Sequence, residues 1–339
     1  MAKLATRQIY GPGRAVDDPV SSVPAQTFSE VPDGILDLLI LHLPYSLSLV
    51  RRLQYTAASP TGKTPSARIV VASDSPPAEP TRHDAGFDVT ARHFTVSYFD
   101  PSRGPETQTW IYSTLEDAHA RDSSVVLAQD ETAHCEKQIM AVVSEVKRIA
   151  REYDAVEPLA FPRQVIVGTL HHAVRAVMRK HDVSLTHRHD YQKIIFPFDK
   201  LPSADAALPA GLSFETTTLE DCHIVKSRTD IPRKVTTLFT LPSITIKQAD
   251  GTPVAWAFLG PDGSMCSLHC EEQHRRKGLA RAVAAKVMRE RTRLFGSEPW
   301  SSSEVAPTNV SSHAMCKSLN GEIKWDVSWT LLGIEENGS

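Results

Sequence analysis

The residues best suited to chemistry lie together in the last third of the chain. Leu268-His269-Cys270-Glu271-Glu272-Gln273-His274-Arg275-Arg276-Lys277-Gly278-Leu279-Ala280 reads as a strand end, a short basic loop and a helix start. Leu279, Val283 and Val287 share one helix face, with Ala280, Ala284 and Met288 beside them, so the spacing predicts a docked helix. The first turn of a helix leaves N–H groups without intrahelical partners, and its dipole makes that end positive. A pyrophosphate is the natural ligand of such an end. Gly278 has no side chain to obstruct backbone approach, and Arg275, Arg276 and Lys277 add charge at the rim. Residues 271–293 carry eight Lys/Arg against three Glu, although the whole chain nets −3. A local basic cluster in an acidic protein points to one anionic ligand, not to a nucleic-acid surface.

The elements that must position this loop follow from the pattern around it. Ser243–Lys247, Pro253–Leu259 and Ser264–Cys270 read as strands, the last two joined as a hairpin by Pro261-Asp262-Gly263. After the long helix come a strand near Trp300–Val305, a helix at 309–319 and a strand around Trp325–Leu332. Earlier, Ile35–Leu39 reads as a helix with Asp33 near its start and Pro44 at its end. Ala67–Ala72, His93–Phe99 and Thr107–Ser113 read as strands, with Val125–Ala128 as a further one. Residues 132–153 are helical by the spacing of Ile139, Val142, Val143, Val146 and Ile149. A short strand at Val165–Val167, a helix at Leu170–Lys180 and a strand at Tyr191–Phe196 follow. Leu201–Gly211, with two Pro and almost no bulky apolar residue, marks a boundary. The expected organisation is a partly ordered extension (1–30), a first domain (31–205) and a second (206–335).

This arrangement resembles the acyl-CoA motif of the GCN5-related N-acetyltransferases (GNATs), Arg/Gln-x-x-Gly-x-Gly/Ala. The resemblance extends to the glycine N-acyltransferase and FR47-like branch. It runs through Gly251–Trp256, Asp262-Gly263, His274–Leu279, Asn309, Met315–Leu319, Trp325 and Trp329, and more loosely through Leu43–Leu47 and Thr107–Ser113. It implies a mixed α/β fold of two tandem GNAT-like halves, the N-terminal one diverged. It implies transfer of an acyl group from acetyl-CoA or another acyl-CoA to a small-molecule amine or amino acid. By the same resemblance, Leu268, His269 and Cys270 pair with the pantetheine arm. Arg275, Arg276, Lys277, Gly278, Leu279, Ala280 and Asn309 complete the CoA site.

The likeness breaks where the acid–base chemistry should be. The branch's glutamate base falls here at Ser264, whose hydroxyl cannot take an ammonium proton near neutral pH unaided. The family's helix tyrosine, proton donor to the leaving thiolate, falls at Cys316. A thiol with an ordinary pKa of about 8.5 has a proton to give. His269, beside the expected thioester, is the first candidate for the base because imidazole titrates near neutrality. Two alternatives stay open: a recruited GNAT-fold enzyme catalysing a cyclisation or condensation, and a non-catalytic CoA-binding member.

Other signals carry less. His171-His172 and His187-Arg188-His189-Asp190 lack zinc-site spacing and read as a loop of solvated histidines, so no metal is expected; if His187 and His189 face one cavity, they instead help form an acceptor site between the halves. Glu271 and Glu272 read as solvated loop residues. Five cysteines without a CxxC pair read as reduced thiols. No run reaches the roughly 18–20 apolar residues of a membrane span. With no secretory signal visible, a cytoplasmic protein without membrane or nucleic-acid partners is expected, its oligomeric state open.

Overall fold

The computed structural model describes residues 23–74, 91–154, 158–205, 207–229 and 233–335. Most of the expected 1–30 extension lies outside these residues. The described part contains strand β1 (Gln26–Phe28), which pairs with the sheet. The first half continues with α1 (Ile35–Ile40), α2 (Leu47–Ala58), β2 (Arg68–Ser73), β3 (Phe94–Phe99) and β4 (Thr109–Ser113). It ends with α3 (Gln129–Glu152), β5 (Gln164–His171), α4 (His172–Lys180) and β6 (Leu185–Pro197). The second half opens with β7 (Leu212–Glu215), α5 (Leu219–Ser227), α6 (Val235–Thr240), β8 (Ser243–Gln248), β9 (Pro253–Leu259) and β10 (Ser264–Cys270). It closes with α7 (Leu279–Arg291), β11 (Trp300–Val305), α8 (Val310–Ser318) and β12 (Glu322–Gly333).

All twelve strands form one sheet in the order β1-β2-β3-β4-β5-β12-β6-β11-β10-β9-β8-β7. Among the described residues two neighbouring pairs are parallel, β4 with β5 and β10 with β11; the rest are antiparallel. These two pairs occupy the same place in each half, so the architecture is duplicated. The final strands are exchanged: β12 lies beside β5 of the first half, and β6 beside β11 of the second. The sheet therefore runs unbroken past the connection at 201–211. Apolar stripes cover it. Cys135, Ile139, Val142 and Val146 of α3 pack with Val70, Phe99 and Ile111 of the first half. Val283, Val287 and Met288 of α7 pack with Trp256 and Phe258 of the second.

Several local expectations change. Val125–Ala128 is not a strand; it is irregular chain leading into α3. The Ile35–Leu39 helix is entered through Gly34 in a left-handed conformation (φ 78°) rather than at Asp33, and it stops at Ile40, before Pro44. Helix α2 was not predicted, because Arg51 and Arg52 interrupt its apolar face. Both are buried instead. Arg51 bonds to the carboxylate (2.5 Å) and carbonyl (2.7 Å) of Glu298. Arg52 lies over the Tyr98 ring, 3.8 Å from its centroid. His187–Asp190 is not a loop; it lies in the middle of the 13-residue strand β6.

Candidate functional site

The site starts from a separation between strands. β10 and β11 pair only at Ser264↔Ser302 and Met265↔Ser303. Beyond Met265 they part, so β10 presents an unpaired backbone edge through Cys270 on that side, while its other edge stays bonded to β9. A bulge interrupts the second ladder. Cys266 faces Phe258 and His269 faces Trp256, three steps on β10 against two on β9, with Ser267 at φ 50° absorbing the extra residue. Strict alternation would send Cys266 and His269 to opposite faces. The bulge returns His269 to the face of Cys266, where its ring stacks on Trp256 at 4.7 Å.

At the end of β10 the chain makes a short 3₁₀ turn (Glu272–His274) and enters α7. Gly278 caps α7 at φ 78°, a left-handed conformation that favours glycine, and a Cβ there would meet nothing within 4 Å. The first helical bond runs from Ala282 N–H to Gly278 O, leaving the earlier N–H groups of the turn free for an anion. The basic cluster divides into two sets. Arg281, Arg289 and Arg291 bond to the carbonyls of Ser318, Pro202 and Ser243, and Lys286 pairs with Glu290. Arg275 donates to Cys270 O (3.1 Å), tying the loop to its strand. Exposed Arg276 and Lys277 remain at the rim.

A cavity of about 680 Å³ opens from the strand gap. Its floor is β10 from Ser264 to His269, and Met315 and Cys316 of α8 close one side. His269 is half-buried. Burial lowers its imidazole pKa below the ordinary value, and the Glu271 carboxylate, 3.7 Å away, opposes this in part. The ring is therefore neutral at neutral pH. Burial pushes the Cys316 thiol up to about 11. Ser264 donates to Asp262 at 2.5 Å, so the serine at the branch's glutamate position does have a carboxylate behind it. Asn309 lies outside the cavity lining; its side chain caps α8 by accepting from Ser312 N–H (3.0 Å). Glu271 is held by Arg228 at 3.0 Å and is not a free loop residue.

Neighbouring strands, the two exchanged ones among them, add residues outside the basic loop. His189 and Tyr191 of β6, Glu304 of β11 and Trp329 of β12 all line the cavity. Arg188, Arg228 and Arg233 line it too, and Arg233 reaches Cys266 Sγ at 3.1 Å. All five cysteines are free thiols. Among the described residues no three His, Cys, Asp or Glu side chains converge as metal ligands do, and no helix is long and apolar enough to cross a membrane.

The first half has an equivalent parallel pair. β4 and β5 pair at Thr109↔Val167 alone. Gln108 ties the start of β4 to β5, accepting from Ile166 N–H (2.9 Å) and donating to Pro101 O (2.9 Å). Thr107 occupies the space where a side chain on Gly168 would sit. The turn after β4 carries buried Glu116 and Asp117, and α3 begins with Asp130 and Glu131. Asp130 and Glu131 there disfavour an anion, where the turn before α7 carries Arg276 and Lys277 instead.

Two family models match the chain. The model of the acyl-CoA N-acyltransferase verG N-terminal domain matches residues 21–195, more than half of the chain. The chain belongs to this family. Beyond the verG-type half, the FR47-like protein model matches residues 245–330. This verG family member is thus two GNAT-like domains in tandem on one mixed sheet, the first diverged. A Drosophila protein of solved structure shares the fold at 14% identity, covering 88% of this chain and 94% of that one with a TM-score of 0.56. A tandem GNAT protein from the clavulanic acid biosynthesis pathway aligns at 12% identity over 92% and 100% of the two chains, TM-score 0.48. A GCN5-related N-acetyltransferase from Sphaerobacter thermophilus aligns at 15% identity over 92% and 96%, TM-score 0.43. Among curated protein sequences no match is found.

Proposed function

We propose that the protein transfers an acyl group from a CoA thioester to a small-molecule amine. The observation that carries this reading is a free edge of β10 that lines the cavity as far as His269 and runs on along the chain to the open N-terminus of α7. The edge at Leu268–Cys270 suits the amides of a pantetheine arm. The turn at Arg276–Ala280 suits a pyrophosphate. The acyl group and the acceptor then share the cavity.

In the transfer, the amine nitrogen bonds to the thioester carbonyl carbon and the carbon–sulfur bond breaks. The CoA thiolate leaves with the electron pair and takes up a proton. Bound as an ammonium, the acceptor must first lose a proton. Neutral His269, on the cavity face of β10, is the group assigned to take it. Cys316 stays protonated with a pKa near 11, so it keeps a proton for the thiolate. S–H is a weak hydrogen-bond donor, so its contribution to the barrier is small. The recruited-enzyme alternative calls for a blocked pyrophosphate loop, and the open space at Gly278 favours transfer.

The test is thiol release from acetyl-CoA and longer acyl-CoAs across a panel of primary amines and amino acids, with N-acyl products read by mass. Amine-dependent release with stoichiometric product is expected. No heat of binding with any acyl-CoA at millimolar concentration would refute the reading.

A further inference from the structure

Glu304 is the carboxylate of the cavity, and nothing in the family motif assigns it a role. It lies on β11 directly opposite Lys193 of β6. Lys193 is fully buried, and its ammonium reaches Glu304 Oε1 at 3.0 Å. The indole N–H of Trp329, from the exchanged strand β12, reaches Oε2 at 3.0 Å. Each oxygen thus accepts one bond. A carboxylate offers about four lone-pair sites, so roughly two are left over, and the residue lines the cavity. Its side chain is 11% exposed, buried enough for charge to act strongly yet open on one side. Tyr191, two residues before Lys193, lines the same cavity, and its phenol pKa is raised by burial and then by the Glu304 charge.

We infer that Glu304 is the docking point for the acceptor's ammonium, with Lys193 and Trp329 holding it in place. The acceptor class is then a primary amine that arrives protonated. Glu304 receives its charge through N⁺–H···O⁻ bonds, and the proton is lost afterwards to the group that acts as base. Lys193 and Trp329 belong to the strands exchanged between the halves, so both halves are needed to build this subsite. Placement on a buried ion pair fixes the carboxylate more firmly than a loop would.

This inference rests on the proposed transfer activity, and the experiment separates the two. Amine-dependent thiol release is measured for wild type, Glu304→Gln and the double variant Lys193→Met/Glu304→Gln, varying amine at saturating acyl-CoA and the reverse. Glutamine keeps the shape and one acceptor oxygen, enough for either Trp329 or Lys193, and removes the charge. The double variant removes both buried charges, so a fold weakened by an unpaired lysine is recognised by its recovered melting temperature. A charged hydrogen bond contributes about 1.5–3 kcal/mol, so the KM for the amine is expected to rise roughly 10- to 100-fold in both variants. The KM for acyl-CoA is expected to stay within a factor of about two, since none of the CoA-facing residues is touched. Unchanged amine KM in a folded variant, or an equal rise in acyl-CoA KM, would overturn the role of Glu304 while leaving transfer intact. Wild type that releases no thiol with any amine would overturn both.

Discussion

His269 shows how one residue's role depends on a detail its neighbours control. Its type and nearness to the basic loop were legible in the sequence; its direction was not. Period-two alternation is reset by the bulge at Ser267, and no residue type announces a left-handed serine there. Because burial lowers the imidazole pKa, its base form persists below the ordinary histidine value of about 6.5. With saturating amine, kcat is expected to rise with pH along a limb whose midpoint lies below that value, then stay flat through neutrality. His269→Gln should lose this limb and about 10²- to 10⁴-fold in kcat, while calorimetric affinity for acyl-CoA stays unchanged. Cys316→Ser should lower kcat by less than about tenfold, because a thiol contributes little as a donor. Glu304 was not legible as a site residue at all. Its meaning comes from Lys193, 111 positions away, across a strand pairing that no local pattern encodes.

Elements were read more reliably than directions, because apolar periodicity and turn residues carry them. The β9–β10 hairpin and α7 follow the sequence reading closely, since Pro261-Asp262-Gly263 and the Leu279/Val283/Val287 stripe are local signals. Helix α2 was missed because its arginines are buried by partners remote in sequence. The conformation at the start of α7 has a direct test. Gly278→Val places a β-branched residue at φ 78°, which costs on the order of 1–3 kcal/mol, and it puts a side chain into the turn proposed to take the pyrophosphate. At least a tenfold loss of acyl-CoA affinity by calorimetry is expected, with a modest fall in melting temperature. A second element test concerns α4. His171 caps it by accepting from Ala173 N–H at 3.1 Å, so its Nδ1 must be unprotonated. Burial, with His172 and His119 nearby, holds its pKa well below 6.5. The unfolded chain therefore binds a proton that the folded one refuses. Stability is complete above about pH 6.5, the unfolded value, and falls as pH drops below it. His171→Asn, a capping residue that does not titrate, should flatten the melting temperature between pH 7 and 5.

For the whole molecule, the two tandem halves were foreseeable from the family resemblance and not from any repeat in the sequence, and the exchange of β6 and β12 was not foreseeable. It depends on which of two similar strands completes each half, a choice made by long-range packing. Its consequence is mechanical as well as chemical. The halves share one sheet, and Arg51 of α2 locks onto Glu298 beneath the second half. Arg51→Met leaves the half-buried Glu298 carboxylate with Gln54 but without its charged partner. It should lower unfolding free energy by about 3–5 kcal/mol in urea titration, still in a single transition. Two separate transitions would show that the halves unfold independently. The most direct measurement is a crystal structure of the protein soaked with an acyl-CoA. Pantetheine along Leu268–Cys270, pyrophosphate over Arg276–Ala280 and the acyl group in the cavity beside His269 are the expected result. Ligand in the first-half gap between β4 and β5, or a soaked crystal with the β10 edge and α7 turn still empty, would contradict it.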